Sequence, residues 1–247
     1  YDIEEMKGLV KTAGGEINDI VLQKKEKPSP GYYMGKGKAE EIAEKYKEKI
    51  DLVIFDGSLK PVQIRNLERL FEKRVIDRTQ LILDIFAKRA HSKEGKLQVE
   101  YAQLNYLLPR LTGFGIELSR LGGGIGTRGP GEKKLEYDRR KIKKIIKKIE
   151  KELENIKKIR RGQREKRKEI PVPLAAIVGY TNAGKTSLLN KLTKLSLLSE
   201  DKLFATLDTK IKSYILPHGY KILFSDTVGF IKNLPPYLIA AFRATLE

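Results

Sequence analysis

Cysteine and tryptophan are both absent from this chain of 247 residues, and only two of its residues are methionine. The absence of cysteine excludes disulfide bonds and thiolate metal sites, and it is in keeping with a reducing compartment. No apolar run approaches the roughly 18 residues that span a bilayer, and the N-terminus lacks the features of a secretory signal. We therefore expect a cytoplasmic protein without a membrane span.

Acidic charge is also scarce relative to basic charge. The chain has 50 Lys and Arg residues against 32 Asp and Glu residues, which gives a net charge of +18. The excess is concentrated, because residues 132–169 contain 18 basic and eight acidic residues and so carry +10 of that total. Such a field attracts polyanions, and its clustering favours a nucleic acid as the partner.

Helix and strand patterns alternate along residues 1–92. Strands that alternate with helices imply a parallel sheet, so this region predicts an α/β subdomain. The expected elements are strands at 16–23, 51–55 and 75–76 and helices at 3–13, 37–49, 61–73 and 79–90.

Residues 93–169 have a different pattern, with apolar residues spaced three and four apart in two segments. This spacing places them on one face of a helix, and in the second segment it has the heptad form of a coiled coil. Eight glycines between 113 and 131 separate the segments. We predict a long antiparallel helical hairpin with a glycine-rich tip, ending in a charged linker at 160–169. The seam residues are Leu97, Tyr101, Leu104, Leu108 and Leu111, then Ile142, Ile146, Ile149, Leu153 and Ile156.

Basic residues of this hairpin are candidate contacts to RNA. Small residues at the tip would permit close approach of the backbone, and arginine would meet phosphate. A plain glycine-rich connector and a solvated charged face are the alternative interpretations. The candidates are Arg120 and Arg128 in the tip and Arg139, Arg140, Lys143, Lys144 and Lys147 in the second helix.

The composition changes at residue 170, and an apolar strand pattern follows at 174–178. The next eight residues fit G-x-x-x-x-G-K-[ST] and precede an apolar helical pattern, which is the context that a phosphate-binding loop requires. In such a loop, backbone N–H groups face phosphate oxygens, Lys185 reaches the β- and γ-phosphates and the Thr186 hydroxyl binds Mg²⁺. The candidate nucleotide contacts are Gly179, Tyr180, Thr181, Asn182, Ala183, Gly184, Lys185, Thr186 and Ser187.

Two further segments match the switches of GTPases. A D-x-x-G segment at 226–229 would hold Mg²⁺ through water by Asp226 and sense the γ-phosphate by the Gly229 N–H. In a candidate first switch, Thr206 would complete the Mg²⁺ shell, although spacing alone leaves a surface threonine as an equal alternative. We predict Lys185, Thr206 and Gly229 as the catalytic residues. The switch contacts are Phe204, Ala205, Thr206, Leu207 and Asp208, then Asp226, Thr227, Val228 and Gly229.

Residues 170–247 therefore predict the N-terminal part of a P-loop GTPase domain that uses GTP or GDP with Mg²⁺. Phe230 follows the second switch, where many GTPases have a glutamine that orients the attacking water. An apolar side chain cannot orient water, so we expect slow intrinsic hydrolysis.

Several long segments of the chain are distinctive, namely GKGKAEEI (35–42), Val75 to Gly113, GGGIGTRGPGE (122–132), GYTNAGKTSLLNKLT (179–193), LFATLD (203–208) and DTVGFI (226–231). They resemble those of the HflX GTPases, and the resemblance extends over nearly the whole chain. It implies an α/β N-terminal domain with a helical hairpin, then a GTPase domain in which Thr206 is the switch threonine on Mg²⁺. It also implies binding to the large ribosomal subunit, with the hairpin tip near the peptidyl transferase centre, and splitting or rescue of ribosomes under stress.

One element of that family does not occur in this chain. GTPases read guanine with an N-K-x-D segment well after the second switch, whereas this chain stops 18 residues after Gly229. We therefore expect an incomplete GTPase domain. Two other interpretations stay open, namely an RNA- or ribosome-binding module without nucleotide dependence and a P-loop ATPase. We expect a monomer.

Overall fold

The computed structural model describes residues 3–24, 26–113, 130–167, 172–193, 202–207, 210–232, 234 and 238–239. Two compact units are present, the first formed by residues 1–82 and 104–144 and the second by residues 83–103 and 145–247. Each contains a parallel strand pair, and the mixed α/β class agrees with the prediction. The domain boundaries predicted at 92/93 and 169/170 stay predictions.

A β–α–β arrangement forms the centre of the first unit. Strand β1 (Leu52–Phe55) pairs in parallel with β2 (Arg74–Asp77), and helix α3 (Pro61–Phe71) connects them. Pro61 occupies the first turn of α3, where its missing N–H is not needed, and Glu72 ends the helix in a left-handed conformation with φ 51°. The unit also contains α1 (Ile3–Ala13), α2 (Lys36–Tyr46), the start of α4 (Arg78–Arg89) and a 3₁₀ turn (Arg110–Gly113).

The apolar faces of α2 and α3 contribute the core of this unit together with the strand pair. Two strands alone are marginally stable in water, so burial of these side chains is the main source of stability. The core consists of Ala39, Ala43, Phe55, Leu59, Leu67, Phe71 and Val75, each with at most 7% of its surface exposed.

A buried carboxylate holds the end of β2. Asp77 is fully buried and accepts hydrogen bonds from the Leu59 N–H at 3.1 Å, the Gln80 N–H at 2.9 Å and the Tyr106 hydroxyl at 2.8 Å. Arg110 pairs with it at 3.2 Å and lies over the Tyr106 ring. Because the buried charge is paired and hydrogen-bonded, these contacts offset the cost of desolvating it, and the network fixes residues 106–110 against β2.

The strand predicted at 16–23 is wrong. These residues have no regular secondary structure, and they pair with no strand among the described residues. The apolar side chains of this segment are exposed: Ile17 by 42%, Ile20 by 40%, Val21 by 38% and Leu22 by 65%. A strand is completed by the backbone groups of a neighbour, and an apolar sequence does not supply that neighbour.

Antiparallel helices form part of the second unit. Helix α5 (Lys93–Leu107) runs against α6 (Pro130–Arg167), since Glu94 forms an ion pair with Arg160 at 2.5 Å and the Tyr101 hydroxyl donates to Glu150 at 3.1 Å. Residue numbers therefore rise along one helix as they fall along the other, as predicted for a hairpin. Ile146 and Ile149 of the predicted seam are buried. Coiled-coil geometry stays a prediction.

The deepest face of α5 differs from the predicted one. Gln98, Val99 and Ala102 are almost fully buried, whereas Leu97 and Tyr101 are only half-buried. Buried and half-buried positions cover most of the helix circumference, so apolar spacing alone does not identify the face that lies deepest.

The charged segment predicted as a linker at 160–169 is helical as far as Arg167. Lys, Arg, Glu and Gln are good helix formers, and Arg161 pairs with Glu165 one turn later at 3.5 Å. Gly162 is exposed and interrupts no packing. The linker prediction is therefore wrong over this range.

A three-stranded sheet carries the rest of the second unit. Its order is β3 (Leu174–Ile177), β5 (Lys221–Asp226) and β4 (Lys210–Ile215), with β3 parallel and β4 antiparallel to β5. Helix α7 (Lys185–Thr193) follows β3. Gly219, with φ 83°, supplies the left-handed residue of the turn between β4 and β5. Across the described ranges, no helix is long and apolar enough to cross a membrane.

Candidate functional site

The site is built where two parallel strands end. Ile177 of β3 lies opposite Asp226 of β5, so the loops that follow both strands leave the same edge of the sheet. Backbone hydrogen bonds join these loops, from the Phe230 N–H to the Gly179 carbonyl at 2.9 Å and from the Thr181 N–H to the Phe230 carbonyl at 2.7 Å. The phosphate-loop motif and the D-x-x-G motif are therefore adjacent.

The loop between β3 and α7 has the backbone of an anion-binding concavity. Gly184 has φ 79°, a value that favours glycine, and Asn182 has φ 58°, which asparagine tolerates better than most residues. Successive N–H groups converge where left-handed and right-handed residues alternate. The Leu188 N–H donates to the Gly184 carbonyl at 2.8 Å, so the loop passes directly into α7. The start of that helix adds a field that favours a phosphate.

Lys185 folds back over this loop. Its Nζ donates to the Tyr180 carbonyl at 2.6 Å. Partial burial lowers the pKa of Lys185 below the usual 10.5, and the nearby Asp226 carboxylate opposes that shift. The ammonium group therefore lies within the site and uses a carbonyl oxygen where a phosphate oxygen would bind more strongly.

Three oxygen-bearing side chains meet beside the loop. The hydroxyls of Thr186 and Thr206 donate to the same Asp226 oxygen, Oδ2, at 2.8 and 2.9 Å, and lie 3.2 Å from each other. Asp226 is fully buried, and its Oδ1 has no hydrogen-bond partner in the part of the chain that the structure describes. A buried carboxylate with a free oxygen, flanked by hydroxyls, suits a hard cation.

These residues fit Mg²⁺ better than a cation enclosed by protein alone. The structure, over its described residues, has no group of three or more His, Cys, Asp or Glu that could hold a metal. Mg²⁺ is commonly bound by one or two protein ligands, with phosphates and water completing its shell. Thr186, Thr206 and Asp226 are the residues that would hold it.

Gly229 lies against the phosphate loop. A Cβ at this position would lie 2.4 Å from the Thr181 Cα and 2.7 Å from its backbone nitrogen. Only glycine fits without a backbone shift, so the second switch and the phosphate loop are in van der Waals contact.

An open cavity of about 410 Å³, part of it solvent, lies between these elements. Most of the predicted nucleotide contacts line it. Leu207 and Val228 are instead buried, at 3% and 8% exposed, and Tyr180 contributes its carbonyl. Asp208 lies outside the described residues. The lining residues are Thr181, Asn182, Gly184, Lys185, Thr186, Ser187, Lys202, Phe204, Ala205, Thr206, Thr227 and Gly229.

Two residues of this region were not predicted from the sequence. Lys202 lines the cavity. The sequence signal that could have identified Lys202 is its position directly before the first-switch segment LFATLD (203–208). Phe86 of α4 contacts Phe204 of that switch, with ring centroids 4.6 Å apart. An apolar residue in an amphipathic helix has no feature that distinguishes such a contact from ordinary core packing.

The predicted RNA contacts on α6 are all exposed. They are Arg139, Arg140, Lys143, Lys144 and Lys147. Arg140 forms an ion pair with Glu136 one turn earlier, at 2.6 Å. Arg120 and Arg128 lie outside the described residues. Exposure leaves these cations available to a polyanion, and their role stays a prediction.

Three features together define a P-loop nucleotide-binding domain with the switch arrangement of GTPases: the loop after β3, Thr186 in the first turn of α7 and the Asp226 carboxylate at the end of β5. Comparison with known families narrows this class. Residues 1–87 match a family described as GTP-binding GTPase N-terminal, residues 89–167 one described as GTP-binding GTPase Middle Region, and residues 174–247 one described as 50S ribosome-binding GTPase.

Comparison with individual proteins supports the same class. GTPase HflX of Caldanaerobacter subterraneus subsp. tengcongensis is 55% identical over 246 residues, which are 99% of this chain and 58% of that protein. GTPase HflX of Escherichia coli is 48% identical over 247 residues, which are 100% of this chain and 58% of that protein. The chain belongs to the HflX GTPase family and spans the N-terminal 58% of these relatives' length.

Solved structures support the same fold. A GTP-binding protein from Sulfolobus solfataricus in complex with GDP is 33% identical, with a TM-score of 0.55 over 98% of this chain and 62% of that chain. A complex of SsGBP with GDP is also 33% identical, with a TM-score of 0.59 over 98% of this chain and 64% of that chain.

Proposed function

We propose that this protein binds GTP and GDP together with Mg²⁺ and hydrolyses GTP. The observation that carries the proposal is the convergence of Thr186, Thr206 and the buried Asp226 beside a loop shaped for phosphate. Guanine nucleotide is the favoured ligand because the relatives are GTPases and two related structures are GDP complexes.

In the proposed complex, binding and catalysis are mainly electrostatic. Lys185 gives up its hydrogen bond to the Tyr180 carbonyl and binds β- and γ-phosphate oxygens instead. The N–H groups of the loop donate hydrogen bonds to the other phosphate oxygens. Thr186, Thr206 and Asp226 would hold Mg²⁺, which would supply further positive charge to the phosphates. Thr206 and the Gly229 N–H orient the terminal phosphate, so that the two switches report whether it is present.

We further propose that intrinsic hydrolysis is slow. Phe230 is 46% exposed and cannot orient a water molecule through its side chain. Its N–H and C=O are already used by Gly179 and Thr181. A partner that orders the attacking water would therefore accelerate the reaction.

The Lys185→Ala change tests the nucleotide site. In the full-length protein, it should abolish detectable binding of GTP and GDP, because the loop loses its ammonium group. Lys191→Ala is the matched control, since Lys191 is an exposed lysine on the same helix and should leave affinity unchanged. Titration calorimetry measures both, and unchanged GTP affinity in the Lys185 variant would refute the site assignment.

We also propose that the protein acts as a cytoplasmic monomer on the large ribosomal subunit. In this proposal, the basic face of α6 contacts ribosomal RNA, the hairpin tip lies near the peptidyl transferase centre, and the outcome is splitting or rescue of ribosomes under stress. The match of residues 174–247 to a family described as 50S ribosome-binding GTPase supports it, as does the cluster of exposed cations.

Cosedimentation with large subunits tests this second proposal. We expect binding to strengthen when the full-length protein carries a non-hydrolysable GTP analogue. Equal binding with and without the analogue would favour an RNA-binding module in which nucleotide has no part.

A competition assay between GTP and ATP shows which base the site prefers, since a preference for ATP would indicate a P-loop ATPase.

A further inference from the structure

Phe204 has a backbone conformation that bulky residues rarely adopt. Its φ of 56° lies in the left-handed region, where the Cβ of an L residue crowds the following carbonyl oxygen. A residue stays in such a conformation only when its surroundings hold it there. Phe204 lies two residues before Thr206, so its conformation governs how the Thr206 hydroxyl enters the site.

Two contacts hold Phe204. Its N–H donates to Thr181 Oγ1 at 2.6 Å, which ties it to the phosphate loop. Its ring meets the ring of Phe86 edge to face, with centroids 4.6 Å apart and planes at 77°. Phe204 is 1% exposed and Phe86 is fully buried. Edge-to-face packing of two buried rings is favourable and directional, so it fixes the orientation of Phe204 as well as its burial.

Thr206 is held independently on its other side. Its hydroxyl donates to Asp226 at 2.9 Å and lies 3.2 Å from that of Thr186. Only Ala205 separates the two anchored residues, and one residue spans at most about 3.6 Å of chain. A displacement of the Phe204 backbone therefore has to move Thr206 or break one of the anchoring contacts.

We propose that Phe86 is a positioning residue for the first switch, which keeps Thr206 where the GTP-bound state needs it. The inference rests on the proposed function and extends it, because part of the preference for GTP over GDP then depends on α4, outside the nucleotide-binding segment. Coupling between sites is reciprocal. A partner that shifts α4 thus alters that preference, and GTP strengthens the contact between Phe86 and Phe204.

The test is the ratio of two affinities in the full-length protein. Phe86→Ala should weaken binding of GMPPNP by about tenfold relative to GDP, which is within the usual range of coupling between sites. GDP affinity should stay near that of the unaltered protein, because GDP does not require Thr206. Phe86→Leu keeps an apolar side chain but removes the aromatic ring, so it should recover only part of the lost preference.

Phe71→Ala separates positioning from general destabilisation. Phe71 is 2% exposed and belongs to the core around β1 and β2, so the same atoms are deleted from a core that does not include Phe204. This control should leave the ratio of GMPPNP affinity to GDP affinity unchanged.

A double variant tests whether the two rings act as one unit. In a Phe204→Ala background, Phe86→Ala should have no further effect on that ratio of affinities.

The outcomes are distinct. Equal ratio changes in the Phe71 and Phe86 variants, or an unchanged ratio in the Phe86 variant, would overturn the inference while the proposed function stands. Failure of the unaltered protein to bind either nucleotide would overturn both.

Discussion

At the scale of single residues, the Asp226 carboxylate explains why the site is poised for a cation. Both threonine hydroxyls donate to Oδ2, and Oδ1 is buried without a partner among the described residues. An unsatisfied buried oxygen costs about 1–3 kcal/mol, and more when it is charged. A bound cation would remove that cost, so ligand binding should stabilise the fold by more than its direct contacts suggest.

The Thr206→Val change tests the role of one hydroxyl. Valine keeps the shape of the side chain but cannot contact a metal or donate to Asp226. Hydrogen bonds to charged groups contribute about 1.5–3 kcal/mol, so affinity for GMPPNP in saturating Mg²⁺ should fall by roughly tenfold to a hundredfold, with GDP affinity little affected. Mg²⁺ titrations with each nucleotide measure the difference.

Thr193→Val is the control for that experiment. The Thr193 hydroxyl donates to the Leu189 carbonyl at 2.7 Å within α7 and is not among the residues that line the cavity. It should leave both nucleotide affinities unchanged. If Thr206→Val and Thr193→Val gave equal affinities for GMPPNP, Thr206 would not belong to the metal site.

The site residues that could be predicted from the sequence are those with a distinctive local chemistry. A lysine that follows a glycine-containing loop between a strand and a helix rarely arises by chance. A D-x-x-G segment is common by itself, and it becomes informative here because it lies at a strand end about 40 residues after that loop. Phe86 could not be found in this way. Its role depends on a contact with Phe204, which is remote in sequence, and its own neighbours in α4 predict only burial.

At the scale of secondary structure, local patterns located the helices and the short buried strands. β1 and β2 were predicted because continuous apolar runs between helices suit buried parallel strands. The segment 16–23 has an equally apolar pattern, yet it is unpaired within the described ranges. Propensity and periodicity describe a segment alone, whereas strand formation depends on a partner, and that information is not local.

The same segment is attached to α2 by an acidic side chain. Asp19 accepts a hydrogen bond from the Tyr46 hydroxyl and lies 3.7 Å from Lys45 Nζ. The pKa of Asp19 is lowered below the usual 3.8, first by the hydrogen bond from Tyr46 and then by that from the Ile20 N–H. A lowered pKa in the folded state means that the ionised form stabilises the fold above pH 3.8, and that this stabilisation disappears as pH falls through the lowered value.

Asp19→Asn should therefore reduce stability at neutral pH but not in strong acid. The free energy of unfolding, measured by urea denaturation across a pH series, should differ between the variant and the unaltered protein at pH 7. The difference should shrink as the pH falls below 3.8. Asp51→Asn, at another exposed aspartate of the same unit, is the control. A pH-independent difference for Asp19→Asn would show that ionisation is not the cause.

At the scale of the whole molecule, positive charge is unevenly compensated. On α2 and just after it, Lys36 lies 3.4 Å from Glu40, Lys45 lies 3.7 Å from Asp19, and Lys47 lies 3.0 Å from Glu72. The fields of these lysines are partly cancelled. On α6, by contrast, residues 139–151 contain eight cations and one carboxylate. The net charge of +18 therefore acts as a local patch as well as a general property of the surface.

This contrast gives a matched pair of variants for the RNA interface. Replacing Lys143, Lys144 and Lys147 by Gln should weaken binding to large ribosomal subunits and make it less dependent on salt. Each lost phosphate contact lowers the slope of log affinity against log salt by about one, so the slope should fall by roughly three. Replacing Lys36, Lys45 and Lys47 removes the same charge and should change the slope little, because carboxylates already neutralise those lysines. If the two triple variants altered the slope equally, only net charge would matter, and α6 would not be the RNA-binding surface.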